Sequence, residues 1–190
     1  LAMYARAVTG WHRPRSAGHC VRLSMMPATD LAELAEEIRV ADIGVIALPI
    51  TNLYLQGWEA DHAVPRGIAP IGRLKAAGVR VAAGADNVRD PFNPVGRCDH
   101  LETASLLVAA GHLAPADALD AVTLGARDVM NLPFAGPVAG ARADLVAVRA
   151  ASLGDAVAFA DADRVVLHRG RLVSRTTVTT VTAVPTPTAA

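Results

Sequence analysis

The side chain best placed to do chemistry is Asp86, in the stretch VRVAAGADNVRDPFNPVG at residues 79–96. An apolar run ends in small residues, the acid follows, and a turn-rich loop with two prolines closes over it. A strand that ends in this way fixes one side chain at its carboxyl end, where a carboxylate can ligate a cation or relay a proton. The same residue type is also a common turn former. His19 is the second candidate, at the end of residues 13–18. Taken alone, such a histidine is more often satisfied by its neighbours than catalytic. His12 lies nearby, but its spacing to His19 is unspecific and an exposed loop position is expected for it. His62 and His100 are expected to decorate the rim of the site. Cys20 and Cys98 have no CxxC pairing, which argues against a structural zinc and a disulfide scaffold.

Other chemistries fail for want of their residues. The sequence holds no GxGxxG or GxxxxGK[ST] phosphate cradle, no GxSxG nucleophile elbow, and no HxE with PCxxC of the small zinc deaminases.

The elements that must position Asp86 and His19 follow from hydrophobic spacing. Residues 1–9 read as the end of a helix, and residues 13–18 as a polar-to-small segment of weak strand propensity. After a connection over 21–27, Thr29 or Asp30 is expected to cap a helix in which Leu31, Leu34, Ala35 and Ile38 share one face. Residues 43–48 (IGVIAL) form a continuous apolar run stopped by Pro49, the pattern of a strand covered on both faces. A long loop is expected over 50–65 and a helix over 67–77, ended by Gly78, with the next buried strand over 79–83. Helices are expected over 97–110, where Asp99 is either solvated with Glu102 or a cap, and over 115–130, which opens on Pro115. Short strands follow at 144–148, 164–168 and 171–174, the last two joined as a hairpin at Arg169 and Gly170.

About three alternating strand and helix units with a β appendage make an α/β chain. A complete eight-fold barrel takes about 250 residues. Either the fold is a small open sheet, or the chain is the carboxyl-terminal part of a barrel. The expected division is a partial barrel over 1–130, accessory strands over 131–175, and a disordered tail over 176–190.

At 190 residues and 52% apolar the chain fits one globular domain with a large core. Lys plus Arg equals Asp plus Glu at 18 each, so no net field draws in nucleic acid or an anionic membrane surface. No apolar run approaches the roughly 20 residues of a membrane span, and the signal-peptide layout is absent, so a cytoplasmic location is expected. The chain opens on Leu1 in what reads as mid-helix, which is the reading of a piece of a longer protein.

Several motifs together resemble one family. AGHC at 17–20, LPITNLYLQG at 48–57, residues 66–96 with their DPFNPVG loop, DAVTLGARDVMNL at 120–132 and GARADLVAV at 140–148 are similar to the carboxyl-terminal part of metal-dependent amidohydrolases, and within them to bacterial cytosine deaminase. The resemblance implies part of a distorted (β/α)8, TIM-like barrel with a small carboxyl-terminal β-sandwich portion. It implies a divalent metal, zinc or iron, whose ligands are an HxH pair, a later His and a strand-end Asp. Asp86 matches that Asp, as metal ligand and proton relay. His19 matches a histidine that polarises the attacking water and the substrate. Asn87 stands where cytosine deaminases carry a second Asp that contacts the base. Gln56 matches a segment on a loop begun by Asn52, and either residue would line the pocket or fold the loop. Phe92 takes the place of an aromatic that packs on a planar ring; its alternative is a buried anchor for the loop. The HxH pair and the later His have no counterpart in these residues.

The implied activity is hydrolytic deamination of a small cyclic substrate such as cytosine, by a parent protein. This chain alone is expected to be inactive and to hold no metal. Its alternative is a non-catalytic product, or a subunit that completes a barrel with another chain. The expected partners are the small-molecule substrate and either a missing amino-terminal half or further copies in a homo-oligomer.

Overall fold

A computed structural model describes residues 1–10 and 14–182. The expected loop position of His12, and the part of the expected tail over 183–190, lie outside the described residues.

The centre is a three-stranded parallel sheet in the order β1 (Arg15–Gly18), β2 (Ile43–Ala47) and β3 (Val81–Ala83). Apolar residues on both faces bury β2 and β3 almost throughout. The β1 sequence RSAG has little strand propensity, yet it pairs with β2 from Arg15 opposite Ile43 to Gly18 opposite Ile46. The Arg15 guanidinium anchors its start by donating to the carbonyls of Val8 and Ala41. Tertiary pairing therefore overrides local preference here. Among the described residues the outer edges of β1 and β3 pair with no further strand.

Helices pack against this sheet. After α1 (Ala2–Val8), α2 (Ala28–Val40) buries Leu31, Ala35 and Ile38 on one face, as the spacing requires. Neither Thr29 nor Asp30 caps it: the helix begins at Ala28 behind Pro27, so both fall inside the first turn, where the Thr29 hydroxyl donates to Asp30. The expected loop after β2 instead opens with α3 (Pro49–Leu55), because Pro49 takes a first-turn position where its missing amide costs nothing. Next, α4 (Ile71–Ala76) is shorter than expected: Gly67 is left-handed (φ 61°) and Pro70 sits at the cap. Gly78, at φ 79°, closes it by donating its amide to the Lys75 carbonyl.

The expected helix over 115–130 is two helices, α6 (Pro115–Val122) and α7 (Leu124–Val129), which follow α5 (His100–Ala109). The break falls at Thr123, whose hydroxyl turns back to the Leu119 carbonyl at 2.7 Å. It lets α7 lie so close to β3 that a Cβ at Gly125 would stand 2.6 Å from the Val81 carbonyl oxygen. The core between these layers includes Ile38, Ile43, Val45, Leu74 and Leu107, all fully buried.

A second, antiparallel sheet comprises β4 (Leu145–Val148), β5 (Arg164–His168) and β6 (Arg171–Thr176). Arg169 and Gly170, both at positive φ, make the two-residue hairpin turn. β6 runs to Thr176, so the strand continues into the segment expected as tail. Between β4 and β5 lies α8 (Leu153–Phe159), which hydrophobic spacing did not predict; the Ser152 hydroxyl caps it by accepting the Asp155 amide. Asp99 is not solvated. It caps α5 by accepting the Leu101 amide and takes both arms of the Arg164 guanidinium, at 3.1 and 2.9 Å, tying α5 to the second sheet.

Candidate active site

Because the three central strands are parallel, the residues that follow them gather at one end of the sheet. His19 follows β1, α3 follows β2, and Asp86 follows β3. Pairing extends one residue past each outer strand: the His19 amide donates to the Ile46 carbonyl at 3.0 Å and the Gly84 amide to that of Ala47 at 3.0 Å. Both candidate residues then turn left-handed, His19 at φ 63° and Asp86 at φ 57°. Such backbone costs of order 1 kcal/mol for a side-chain-bearing residue and concentrates at functional sites.

The two side chains converge. His19 Nε2 lies 3.9 Å from Asp86 Oδ2, outside hydrogen-bond reach but within that of an ion pair. That same Oδ2 is buried and, among the described residues, accepts no hydrogen bond. A carboxylate oxygen in this state is costly unless a cation or donor meets it, so it fits the contribution of a single metal ligand. A complete site is another matter: among the described residues no three His, Cys, Asp or Glu side chains are grouped to hold a metal ion.

On the other side of the imidazole stands Asn52, in α3. Its amide nitrogen is 3.1 Å and its oxygen 3.3 Å from His19 Nδ1. Sequence reasoning named Asn52 as the start of a loop, where it would line the pocket or fold the loop, and did not pair it with His19. The usable signal was Pro49, which starts a helix and so turns the residues after β2 back toward the strand ends. Cys20, next to His19, is half-buried, and burial pushes its thiol up, which keeps it protonated and unreactive. Cys98 is exposed and free.

The loop after Asp86 is locked by its own polar groups. Asp90 Oδ1 accepts the amides of Phe92 and Asn93 at 2.9 and 3.0 Å, and its other oxygen accepts the Asn87 side-chain amide. Asn93, at 0% exposure, donates to the Asn87 carbonyl at 2.9 Å. Thus the Asn87 amide is engaged within the loop. The buried anchor is Asn93 and not Phe92, which is 55% exposed. Gln56 packs against Gly67, where a Cβ would meet its side-chain oxygen at 1.9 Å. His62 is exposed in the segment beyond α3, and His100 is exposed at the start of α5.

A cavity of about 1000 Å³ lies elsewhere, where α5, α6 and α7 face the antiparallel sheet. Leu119, Leu124, Phe134 and Val146 line it, and it includes none of Asp86, His19 and Asn52. No helix among the described residues is long and apolar enough to cross a membrane.

Known proteins are similar to this chain in sequence and fold. Residues 1–181 match the family described as "Amidohydrolase family". The pterin deaminase of Rhizobium rhizogenes is 34% identical over 164 residues, which cover 84% of this chain and 38% of the relative. A 5-methylthioadenosine/S-adenosylhomocysteine deaminase of Desulforudis audaxviator is 35% identical over 127 residues, covering 64% of this chain and 26% of the relative. Among solved structures, the 5-methylcytosine deaminase of Klebsiella pneumoniae superposes with a TM-score of 0.83 at 23% identity, over 96% of this chain and 45% of that one. The N-isopropylammelide isopropylaminohydrolase of Burkholderia multivorans gives 0.75 at 28% identity, over 92% and 42%. The chain therefore spans less than half the length of each of these proteins.

Proposed function

This chain belongs to the amidohydrolase family, and on that premise we propose that it carries one side of the active site of a hydrolytic deaminase acting on an amino-substituted nitrogen heterocycle such as cytosine. The observation that carries the reading is the buried, unpartnered Oδ2 of Asp86 facing His19 at the carboxyl ends of the parallel strands. The curated relatives are deaminases, and members of the family are in general metal-dependent. In this reading the central sheet is part of a (β/α)8 barrel, and the antiparallel sheet is part of its accessory sandwich.

Asp86 would contribute one ligand oxygen to a divalent metal, which when bound supplies a Lewis-acidic charge that brings the pKa of water to about 7. This chain's residues do the rest of their work by position. The Asp86 carboxylate accepts the proton of the attacking water and returns it to the departing amine. His19 orients and polarises the group under attack. Asn87, Gln56 and Phe92 belong to the wall of the pocket, with Phe92 offering an aromatic face to a planar ring. A catalytic metal needs about three protein ligands, so further ligands come from polypeptide beyond these 190 residues. The open edges of β1 and β3 are where such polypeptide would pair.

Two measurements test this. The complete gene product loaded with zinc or iron is expected to hydrolyse cytosine, a pterin or a related aminated ring; no turnover across such a panel would overturn the substrate class. The 190-residue chain by itself is expected to retain less than one equivalent of metal after dialysis and to show no turnover. Robust metal-dependent activity from it would refute the assignment of the missing ligands. A second reading, a non-catalytic subunit that closes its barrel against another chain, is favoured by the same open edges. It predicts turnover only from a co-purified complex.

A further inference from the structure

Among the described residues the imidazole of His19 is gripped from one side only, and that grip fixes more than its orientation. Both ends of the Asn52 amide lie within reach of the same ring atom, Nδ1, with the nitrogen nearer at 3.1 Å and the oxygen at 3.3 Å. A single ring nitrogen either donates or accepts, so the two orientations of the amide correspond to opposite tautomers. If Oδ1 faces the ring, Nδ1 carries the proton and Nε2 presents a lone pair to Asp86. If Nδ2 faces it, Nδ1 accepts and Nε2 carries the proton.

The surroundings decide between them. Asp86 Oδ2 stands 3.9 Å from Nε2, is buried and has no other partner among the described residues. A lone pair aimed at that oxygen would set two electron-rich atoms against each other, whereas an N–H dipole aimed at it is attractive. The shorter contact, from Asn52 Nδ2, agrees. Asn52 is itself held by backbone bonds at the head of α3: its amide donates to the Leu48 carbonyl at 3.2 Å, and its carbonyl accepts the Gln56 amide at 3.1 Å.

We propose that Asn52 is a positioning residue that holds His19 in its Nε2–H tautomer, so that His19 offers the site a hydrogen-bond donor and Asp86 is left as the base. The consequence for chemistry rests on the deaminase reading above; the tautomer does not. A donor at Nε2 suits polarising a ring nitrogen or carbonyl, and it cannot take a proton from water while it already carries one. The sequence missed this role because Asn52 and His19 lie 33 positions apart and meet only through the pairing of β1 with β2.

The test is direct observation of the ring nitrogens. The metal-free chain, labelled with 15N at histidine and kept in alkaline buffer, is examined by long-range proton–nitrogen correlation, with His19→Gln assigning the signal. The expected spectrum of His19 has the pyrrole-like nitrogen at Nε2 and the pyridine-like nitrogen at Nδ1. Asn52→Asp, close in shape to asparagine but able only to accept, is expected to invert that pattern. Asn52→Ala is expected to move both shifts toward averaged values, and Asp86→Asn, which removes the negative charge facing Nε2, to weaken the wild-type pattern without inverting it. Backbone amide shifts outside residues 17–20 and 49–56 report whether each variant keeps the fold, and N52D carries the test if N52A unfolds. An Nδ1–H pattern in the wild type, an N52D spectrum unchanged from wild type, or inversion on D86N would each overturn the inference. Failure of the complete enzyme to deaminate any ring would instead remove the functional reading and leave the tautomer standing.

Discussion

Gly96 closes the loop that carries Asp86, and replacing it by alanine should unlock that loop. A Cβ there would stand 2.3 Å from the Asn87 carbonyl oxygen, 2.5 Å from Asn93 Nδ2 and 2.9 Å from Asn93 Cγ. The first of these is backbone and the others belong to a fully buried side chain, so none can swing aside cheaply. Overpacking of this kind costs about 1–3 kcal/mol. Relieving it by pushing Asn93 off the Asn87 carbonyl exchanges that cost for an unpaired buried acceptor, again about 1–3 kcal/mol. The two routes are alternatives, so about 2 kcal/mol is expected. With a urea slope of about 2 kcal/mol per molar, the unfolding midpoint should fall by about 1 M. Gly154, in the first turn of α8, supplies the opposite case. Its Cβ would lie 3.6 Å from the Ser152 hydroxyl, an ordinary contact, and alanine there should stabilise by about 0.5–1 kcal/mol through the helical backbone. Urea titrations of G96A and G154A beside the wild type read both signs, and hydrogen exchange at the Asn93 and Gly96 amides should quicken in G96A. A G96A midpoint equal to the wild type with unchanged slope would refute the close-contact argument.

Acid stability should depend on Asp99. Burial works to raise its carboxyl, but the Arg164 guanidinium, the Leu101 amide and the nearby Arg97 outweigh burial and hold it below the usual carboxylate range. A depressed acid stabilises the fold fully above its unfolded value of about 3.9 and loses that contribution as pH falls through the folded value. Thermal melts between pH 2 and 7 should therefore show Asp99→Asn less stable than wild type at neutrality, with the two curves converging below about pH 4; parallel curves would contradict the pairing. Leu107→Ala, which empties a fully buried position on α5, should cost about 2–5 kcal/mol in a urea titration. A loss below about 1 kcal/mol would mean that α5 is not packed into the core as described.

Much of the scaffold was legible because its signals are local. The run IGVIAL becomes β2 because a strand covered on both faces needs apolar residues at consecutive positions. Leu31, Ala35 and Ile38 recur at helical spacing and form the buried face of α2. Gly78 stops α4 because it takes φ 79° without a Cβ clash, and Asp99 caps α5 by its short carboxylate. Where the reading failed, the deciding partner was distant. RSAG is a strand only beside Ile43 to Ile46, with Arg15 held by the carbonyls of Val8, at the end of α1, and Ala41, which follows α2. The helix over 115–130 breaks at Thr123, where α7 comes down on the backbone of β3.

The candidate site divides in the same way. Asp86 stands out in the sequence because an acid between an apolar run and a proline-rich loop is a local pattern, and His19 stood out beside it through the resemblance. Their 3.9 Å approach, the unpartnered Asp86 oxygen and the hold of Asn52 on the imidazole come from three parallel strands ending together. The sequence by itself determined which strands and helices have the apolar faces to form a buried α/β layer, since burial is written in the period of apolar residues. Only the tertiary structure decided which polar side chains meet at its edge, since a hydrogen bond between residues 33 positions apart depends on strand order and register, which no local period encodes.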